Sequence, residues 1–203
     1  MPPAPCVVIK IGGSLLLSPQ FPRRMRTYLD QTRDERQLFI VGGGPATDFI
    51  RALDSSHLIG DNQSHHLALR ALDLTAHILA SLVPGLTLTD RIEDLESLWS
   101  SQNVPILAPR NFLQEVDAYS PHPLPETWSV TTDSIAARVA SHLEARELRL
   151  LKSTSLGPHM SVKHAAASGL VDLAFPVASR DIPRIAFVNF RDDPPSTHYF
   201  PPT

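Results

Sequence analysis

The first apolar run of the chain contains one lysine. Val7–Ile11 is rich in β-branched residues, ends at two glycines and includes Lys10, a composition that predicts a buried strand. A buried ammonium group is unfavourable unless it meets an anion, so Lys10 needs a negatively charged partner. Gly12 and Gly13 let a ligand approach the backbone, and Ser14 stands where a helix can begin, an arrangement suited to phosphate. The alternative is an ordinary turn after a strand with a surface lysine.

Strand-like and helix-like segments alternate along the rest of the chain, which predicts βαβ units and an α/β protein. Further strands are predicted at 38–41, 86–88, 104–108, 148–151 and 185–190, and helices at 22–33, 46–53, 65–82, 92–99 and 161–168, with another helix running from about 133 to 145. The proline-containing stretch 109–128 predicts a loop, and the residues after 190 predict a proline-rich tail.

The longest predicted helix, 65–82, carries apolar residues on more than one side, and residues 61–64 are predicted to cap it. One side would pack on the sheet and the other on a second subunit, although burial entirely within one chain is an equal alternative. His65, His66 and His77 lie on this helix without cysteine or carboxylate at ligand spacing. Polar surface positions therefore explain these histidines better than a metal site.

Three further segments carry candidate functional residues. Three glycines, 42–44, follow the second strand, which is more than a tight turn needs. A dinucleotide-binding fingerprint would require glycine in place of Thr47, and the P-loop pattern is absent. Asp133 lies in a predicted first helical turn, where it could simply favour helix formation. Lys152 ends a buried strand just as Lys10 does.

Composition narrows the class of protein. The chain has 203 residues and a net charge of −3, which gives no basic field for nucleic acid. Its single cysteine, Cys6, fits a reducing compartment, and no apolar run is long enough to cross a bilayer. These features predict a cytoplasmic protein that binds neither nucleic acid nor membrane.

Taken in order, the segments 10–14, 42–44, 131–134 and 151–154 resemble the amino acid kinase family, which includes carbamate, acetylglutamate, aspartate and uridylate kinases. The resemblance implies a three-layer αβα sandwich on a mainly parallel sheet. It also implies one domain over 1–203, with an acceptor-binding half at about 1–108 and a nucleotide-binding half at about 129–203. ATP and Mg²⁺ would be the cofactors, with Mg²⁺ carried by the nucleotide phosphates rather than by a protein metal site.

The same resemblance assigns roles to residues. Lys10 and Lys152 would stabilise the transferring phosphoryl group, and Asp133 would hold both lysines in place. The implied nucleotide and phosphate contacts are Gly12, Gly13, Ser14, Ser153 and Thr154. The implied acceptor contacts are Gly42, Gly43, Gly44, His57, Asp61, Thr131 and Thr132, and Arg51 is a further candidate for an acceptor phosphate.

Within the family the motifs are most similar to uridylate kinases, with two departures. His57 stands where those enzymes keep an arginine, and Gly157-Pro158-His159 replaces their usual Asp-Gly segment. The compact length and the run 169–172 are similar to a short branch of the family that makes methanofuran-type cofactors. Enzymes of this branch phosphorylate an (aminomethyl)furan-methyl phosphate, and this compound is the favoured acceptor. The alternatives are a uridylate or amino-acid kinase, or a non-catalytic nucleotide-binding storage or regulatory protein. A homodimer or larger homo-oligomer is expected.

Overall fold

The computed structural model describes residues 5–201, and its centre is one sheet of seven strands. The strands are β1 (Val7–Ile11), β2 (Gln37–Val41), β3 (Leu86–Thr89), β4 (Val104–Leu107), β5 (Glu147–Lys152), β6 (Ile185–Asn189) and β7 (Ser196–Tyr199). Their order is β3-β4-β2-β1-β5-β6-β7, and neighbours are parallel except for the antiparallel pair β6 and β7. The predicted mainly parallel sheet is therefore confirmed.

Helices cover both faces of the sheet. They are α1 (Phe21–Gln31), α2 (Gly44–His57), α3 (Asp61–Leu82), α4 (Leu95–Ser100), α5 (Arg110–Glu115), α6 (Thr132–His142), α7 (Val162–Ala167) and α8 (Phe175–Ala178). Side chains of α6, α7 and α8 form the core on one face, whereas α1 and the last turns of α3 form it on the other. This arrangement confirms the three-layer αβα architecture.

Strand register determines where the two lysines meet. Side chains alternate between the two faces of a strand, so Lys10 shares the face of Val8, and Lys152 shares the face of Leu148 and Leu150. All three apolar residues belong to the core that α6 covers. Lys10 pairs with Leu150 in the neighbouring strand β5, which places Lys152 one pleat closer to the carboxyl edge of the sheet. Both ammonium groups can therefore reach the amino end of α6.

Three predictions of local structure were wrong. The stretch 109–128 is not only loop, because it contains α5 and a 3-10 turn at Asp117–Tyr119. Residues 61–64 do not cap α3; they form its first turn, and Gly60 precedes it with φ +93° and no side-chain cap. The tail after 190 contains β7, which gains its backbone partners only by pairing with β6. The short helix α8 also lies outside the predicted elements.

Helix α3 carries apolar residues on two sides, and only one of these sides is buried. Leu69, Leu72, Ala76 and Leu79 belong to the core on the inner side. On the outer side Leu67, Leu74 and Ile78 are 39%, 53% and 38% exposed. Burial entirely within the chain is therefore not observed for this helix. Within residues 5–201, no helix combines the length and apolar character needed to cross a bilayer.

Candidate active site

Asp133 lies between the two strand-end lysines. Its Oδ1 is 2.8 Å from Nζ of Lys10, and its Oδ2 is 2.6 Å from Nζ of Lys152. The three side chains are 5%, 8% and 14% exposed for Asp133, Lys10 and Lys152. Lys152 also donates to the backbone carbonyl of Leu170 at 2.9 Å. Two cations thus share one buried carboxylate, which leaves one net positive charge at the carboxyl edge of β1 and β5.

The electrostatic environment keeps Asp133 ionised and weakens the proton affinity of Lys152. Burial favours the neutral form of Asp133, but the ammonium groups of Lys10 and Lys152 outweigh it and hold the pKa below its usual value. Burial and the like charge of Lys10 lower the pKa of Lys152 to about 8, although Asp133 opposes this shift. An incoming phosphate would relieve the repulsion between the two lysines.

The amino end of α6 carries Asp133 and is capped by its own sequence. Thr131 precedes the helix in an extended conformation, and its hydroxyl accepts from the backbone N–H of Asp133 at 3.4 Å. Thr131 and Ser134 in turn donate to the carboxylate of Asp172, which lies between α7 and α8. Sequence reasoning gave Asp172 no role, because no local pattern links it to a helix almost 40 positions earlier.

The two predicted glycine loops pack against each other. A Cβ on Gly13 would lie 2.3 Å from the carbonyl oxygen of Gly42 and from the nitrogen of Gly44. Gly44 has φ +49°, and a Cβ there would lie 2.8 Å from the carbonyl carbon of Gly13. Both clashes involve backbone atoms, which cannot move aside as the end of a side chain can. Glycine is therefore required at both positions for the strand ends of β1 and β2 to meet.

A cavity of about 170 Å³ opens beside this contact, between α2, α3 and the start of α6. Its polar wall consists of residues from both loops and the start of α6, including Lys10, Gly13, Gly42, Gly43, Gly44, Thr131 and Thr132. Its apolar wall includes Ala68, Leu69, Leu72, Trp128, Val130 and Ile135. The cavity therefore suits a compact molecule with an anionic group at the lysine end and an apolar body.

Three side chains in or near the outer wall were not among the main predicted site residues. The guanidinium carbon of Arg51 lies 4.2 Å from the ring centroid of Trp128, close enough for a cation–π contact. The indole N–H of Trp128 donates to Oδ2 of Asp54 at 2.7 Å, which anchors the preceding loop to α2. His65 also lines the cavity, and burial lowers its pKa, which favours the neutral ring.

Other predicted contacts lie elsewhere. His57 and Asp61 are exposed and do not belong to the cavity lining. His57 ends α2, thirteen residues after the glycine loop, which corresponds to about 20 Å along a helix. The predicted nucleotide contacts Ser14 and Ser153 lie together outside the cavity, with their hydroxyl oxygens 3.4 Å apart.

The fold and the paired lysines define an αβα protein with two buried ammonium groups on one carboxylate at the carboxyl edge of its sheet. Residues 5–155 match the model of the amino acid kinase family, and the chain belongs to that family. Among curated proteins, it is 25% identical over 142 residues to [5-(aminomethyl)furan-3-yl]methyl phosphate kinase of Methanocaldococcus jannaschii. That match spans 70% of this chain but only 62% of the relative's length.

Solved structures of uridylate kinases share the fold. UMP kinase from Ureaplasma parvum aligns with a TM-score of 0.64 at 14% identity, covering 93% of this chain and 91% of that one. Uridylate kinase from Archaeoglobus fulgidus aligns with a TM-score of 0.60 at 18% identity, covering 89% and 88%. At such low identity these likenesses establish the fold alone.

The donor set of the site differs from that of a protein-bound metal ion. Asp133, the buried carboxylate of the site, is already engaged by two lysines. Across residues 5–201, histidine, cysteine and carboxylate side chains form no group of three that could hold a metal. Mg²⁺ is commonly bound through substrate phosphates together with few protein ligands, so this site fits Mg²⁺ carried by ATP.

Proposed function

We propose that the protein is an ATP-dependent phosphotransferase that transfers the γ-phosphoryl group to a small phosphate-bearing acceptor. The observation that carries this proposal is the arrangement of Lys10, Asp133 and Lys152 at the rim of a glycine-lined cavity. Phosphoryl transfer needs positive charge around the moving group and little covalent chemistry from the protein. Two buried ammonium groups on one carboxylate meet that requirement.

In this proposal each lysine acts on the oxygens of the transferring group. Lys10 faces the cavity and would contact the acceptor side, whereas Lys152 lies one pleat further along the edge, towards the residues proposed for the nucleotide. Asp133 holds both ammonium groups against their mutual repulsion. When bound with ATP, Mg²⁺ supplies further charge neutralisation on the phosphates. Gly12, Gly13, Ser14, Ser153 and Thr154 are the proposed contacts to ATP.

The cavity supports a compact acceptor. Its volume of about 170 Å³ is below the roughly 300–1,000 Å³ typical of sites for drug-sized ligands. Arg51 and the amides of the glycine loop can receive a phosphate, while Trp128 and the leucines of α3 offer an apolar surface. We therefore favour [5-(aminomethyl)furan-3-yl]methyl phosphate, the substrate in the name of the curated relative, over the larger UMP. This activity would serve the synthesis of a methanofuran-type one-carbon cofactor.

A panel of acceptors tests this proposal. Purified protein with ATP and Mg²⁺ is offered the furan phosphate, UMP, N-acetylglutamate or carbamate, and ADP release is followed by a coupled assay. We expect turnover with the furan phosphate and none with the two carboxylate-type acceptors. Turnover with UMP alone would assign a uridylate kinase instead.

Titration calorimetry with ATP separates the remaining alternative. Binding of ATP without turnover on any acceptor would favour a storage or regulatory protein. Absence of both binding and turnover would contradict the proposal. The Asp133→Asn variant serves as the negative control, and Lys163→Ala, which changes an exposed lysine on α7, serves as the matched positive control.

A further inference from the structure

Asp172 is a half-buried carboxylate that lies outside the cavity and accepts five hydrogen bonds. Its Oδ2 accepts from the backbone N–H of Thr131 at 2.9 Å, from the hydroxyl of Thr131 at 2.8 Å and from the backbone N–H of Ser134 at 3.0 Å. Its Oδ1 accepts from the hydroxyl of Ser134 and from the backbone N–H of Ala174 at 3.1 Å. Protein donors therefore occupy both oxygens of this carboxylate.

Four of the five donors belong to the amino end of α6. The first N–H groups of a helix lack partners within the helix, and a carboxylate is favoured there by the helix dipole. Thr131 connects this contact to the site, because its hydroxyl donates to Asp172 and accepts from the N–H of Asp133. Asp172 thus fixes the backbone on either side of Asp133.

The segment that carries Asp172 also holds Lys152. The carbonyl of Leu170, two residues earlier, accepts from the ammonium group of Lys152. Residues 170–172 therefore act on two of the three buried charged residues. They bind Lys152 directly, and they hold Asp133 through the start of α6. A shift of this segment would change the distance between the Asp133 carboxylate and the Lys152 ammonium group.

We propose that Asp172 is a positioning residue for phosphoryl transfer, which fixes the start of α6 so that Asp133 stays between Lys10 and Lys152. The inference rests on the proposed function, because it assigns Asp172 an effect through those three residues. A carboxylate suits this position since it only accepts hydrogen bonds. Asparagine would turn an NH₂ group towards donors, and glutamate would keep the charge but displace the oxygens.

The test measures the pKa of Lys152 directly. The sequence contains three lysines, Lys10, Lys152 and Lys163, so lysine labelled with ¹³C gives three resolvable side chains, with the exposed Lys163 as internal reference. The charged groups facing Lys152 are Lys10 from β1 and Asp133 from α6. If Asp133 loses its position, Lys152 loses its counter-ion, and its pKa falls below the wild-type value.

Three substitutions separate positioning from simpler effects. Asp172→Ala and Asp172→Asn remove the charge, and the milder Asn variant keeps the test valid if the Ala variant does not fold. Asp172→Glu retains the negative charge at position 172. A fall in the pKa of Lys152 in this variant would therefore report displacement of Asp133, and not the loss of the charge of Asp172. An unchanged pKa in the Glu variant together with unchanged turnover would overturn the inference.

Asp117→Asn is the matched structural control. Asp117 is buried and pairs with Arg138 of the same helix α6 at 3.0 Å, one turn beyond Asp133. This variant should lose stability but keep the wild-type pKa of Lys152. If it shifts the pKa as much as the Asp172 variants do, the effect is general loosening of α6 and the inference fails.

Turnover of the furan phosphate completes the test. Misplacement of reacting groups by about 1 Å can reduce rates about 10²-fold, so we expect kcat to fall by that order in Asp172→Ala while the KM for ATP stays within about twofold. If Asp133→Asn abolishes turnover and the Asp172 variants match the Asp117 control, only the positioning inference fails. If Asp133→Asn is fully active, the proposed function itself fails.

Discussion

Replacing Asp133 with asparagine removes the one carboxylate that separates two buried ammonium groups. Each ammonium is within 2.8 Å of a carboxylate oxygen, and a charge pair at 4 Å contributes about 4 kcal/mol at an effective dielectric constant near 20. Desolvation offsets much of that attraction, so we rely on measured cases, in which removing one partner of a buried pair costs about 3–5 kcal/mol. We expect Asp133→Asn to lower the free energy of unfolding at pH 7 by that amount.

The pH dependence gives this prediction its specificity. Without Asp133, Lys152 loses the group that opposes the lowering of its pKa, so that pKa lies further below the value in the unfolded chain. The unfolded state then binds more protons over a wider pH range, and stability rises with pH. In the wild type this rise begins only near the pKa of Lys152, about 8. The deficit, which is the difference in free energy of unfolding between the wild type and Asp133→Asn, should therefore shrink as pH rises from about 5.5 to 8. Above pH 8 it should change little.

Urea unfolding of both proteins at pH 5.5, 7 and 8 measures the deficit. Asp117→Asn is the control, because its partner is an arginine, a residue type that is not deprotonated in proteins. The stability loss in this variant should not vary with pH. A deficit below about 1 kcal/mol at pH 7, or one independent of pH, would refute the reasoning from Asp133 as a shared counter-ion.

The remaining predictions concern turnover and assembly. In the proposed function Lys152 acts as a cation, and burial and Lys10 lower its pKa to about 8. We therefore expect kcat/KM to fall above about pH 8, and a flat profile to pH 10 would contradict this. Arg51→Ala should raise the KM for the acceptor much more than that for ATP, whereas His57→Ala should change neither, and the reverse ranking would place the acceptor near the end of α2. Light scattering at micromolar concentration should show a dimer, because the exposed apolar side of α3 suits an interface. Leu74→Glu should dissociate the dimer, whereas Leu173→Glu, a control at another exposed leucine, should leave it intact. A monomeric wild type would contradict an interface on α3.

Local pattern predicted strands β1 to β6 and the start of α6 because the relevant signals lie within a few residues. The alternation of Val8 and Lys10, and of Leu150 and Lys152, places both lysines on one face once β1 and β5 are neighbours. Each glycine segment after β1 and β2 was recognised from its own sequence. The contact between Gly13 and Gly44 could not be predicted in this way, because it depends on β1 and β2 being neighbours in the sheet.

Other features depend on contacts between distant segments. β7 exists because β6 offers an edge, and nothing in its own sequence resembles a buried strand. Trp128 lies at the end of a predicted loop, and only the folded chain brings it into the cavity wall, where its indole N–H donates to Asp54. His57 was predicted as an acceptor contact because it stands where the uridylate kinases keep an arginine, with Arg51 as a further candidate. The helix that carries both residues brings only Arg51 to the cavity.

The central claim is that Lys10 and Lys152 stabilise a transferring phosphoryl group, and the rate of the chemical step in Lys10→Ala tests it most directly. The measurement is a single-turnover assay with ATP and the furan phosphate, with Lys163→Ala as the matched control and calorimetry to show that ATP still binds. Single electrostatic donors of this kind contribute about 10²–10³-fold to kcat, and the account predicts a loss in or beyond that range with little change in ATP affinity. A folded Lys10→Ala protein with a near-normal transfer rate would contradict it.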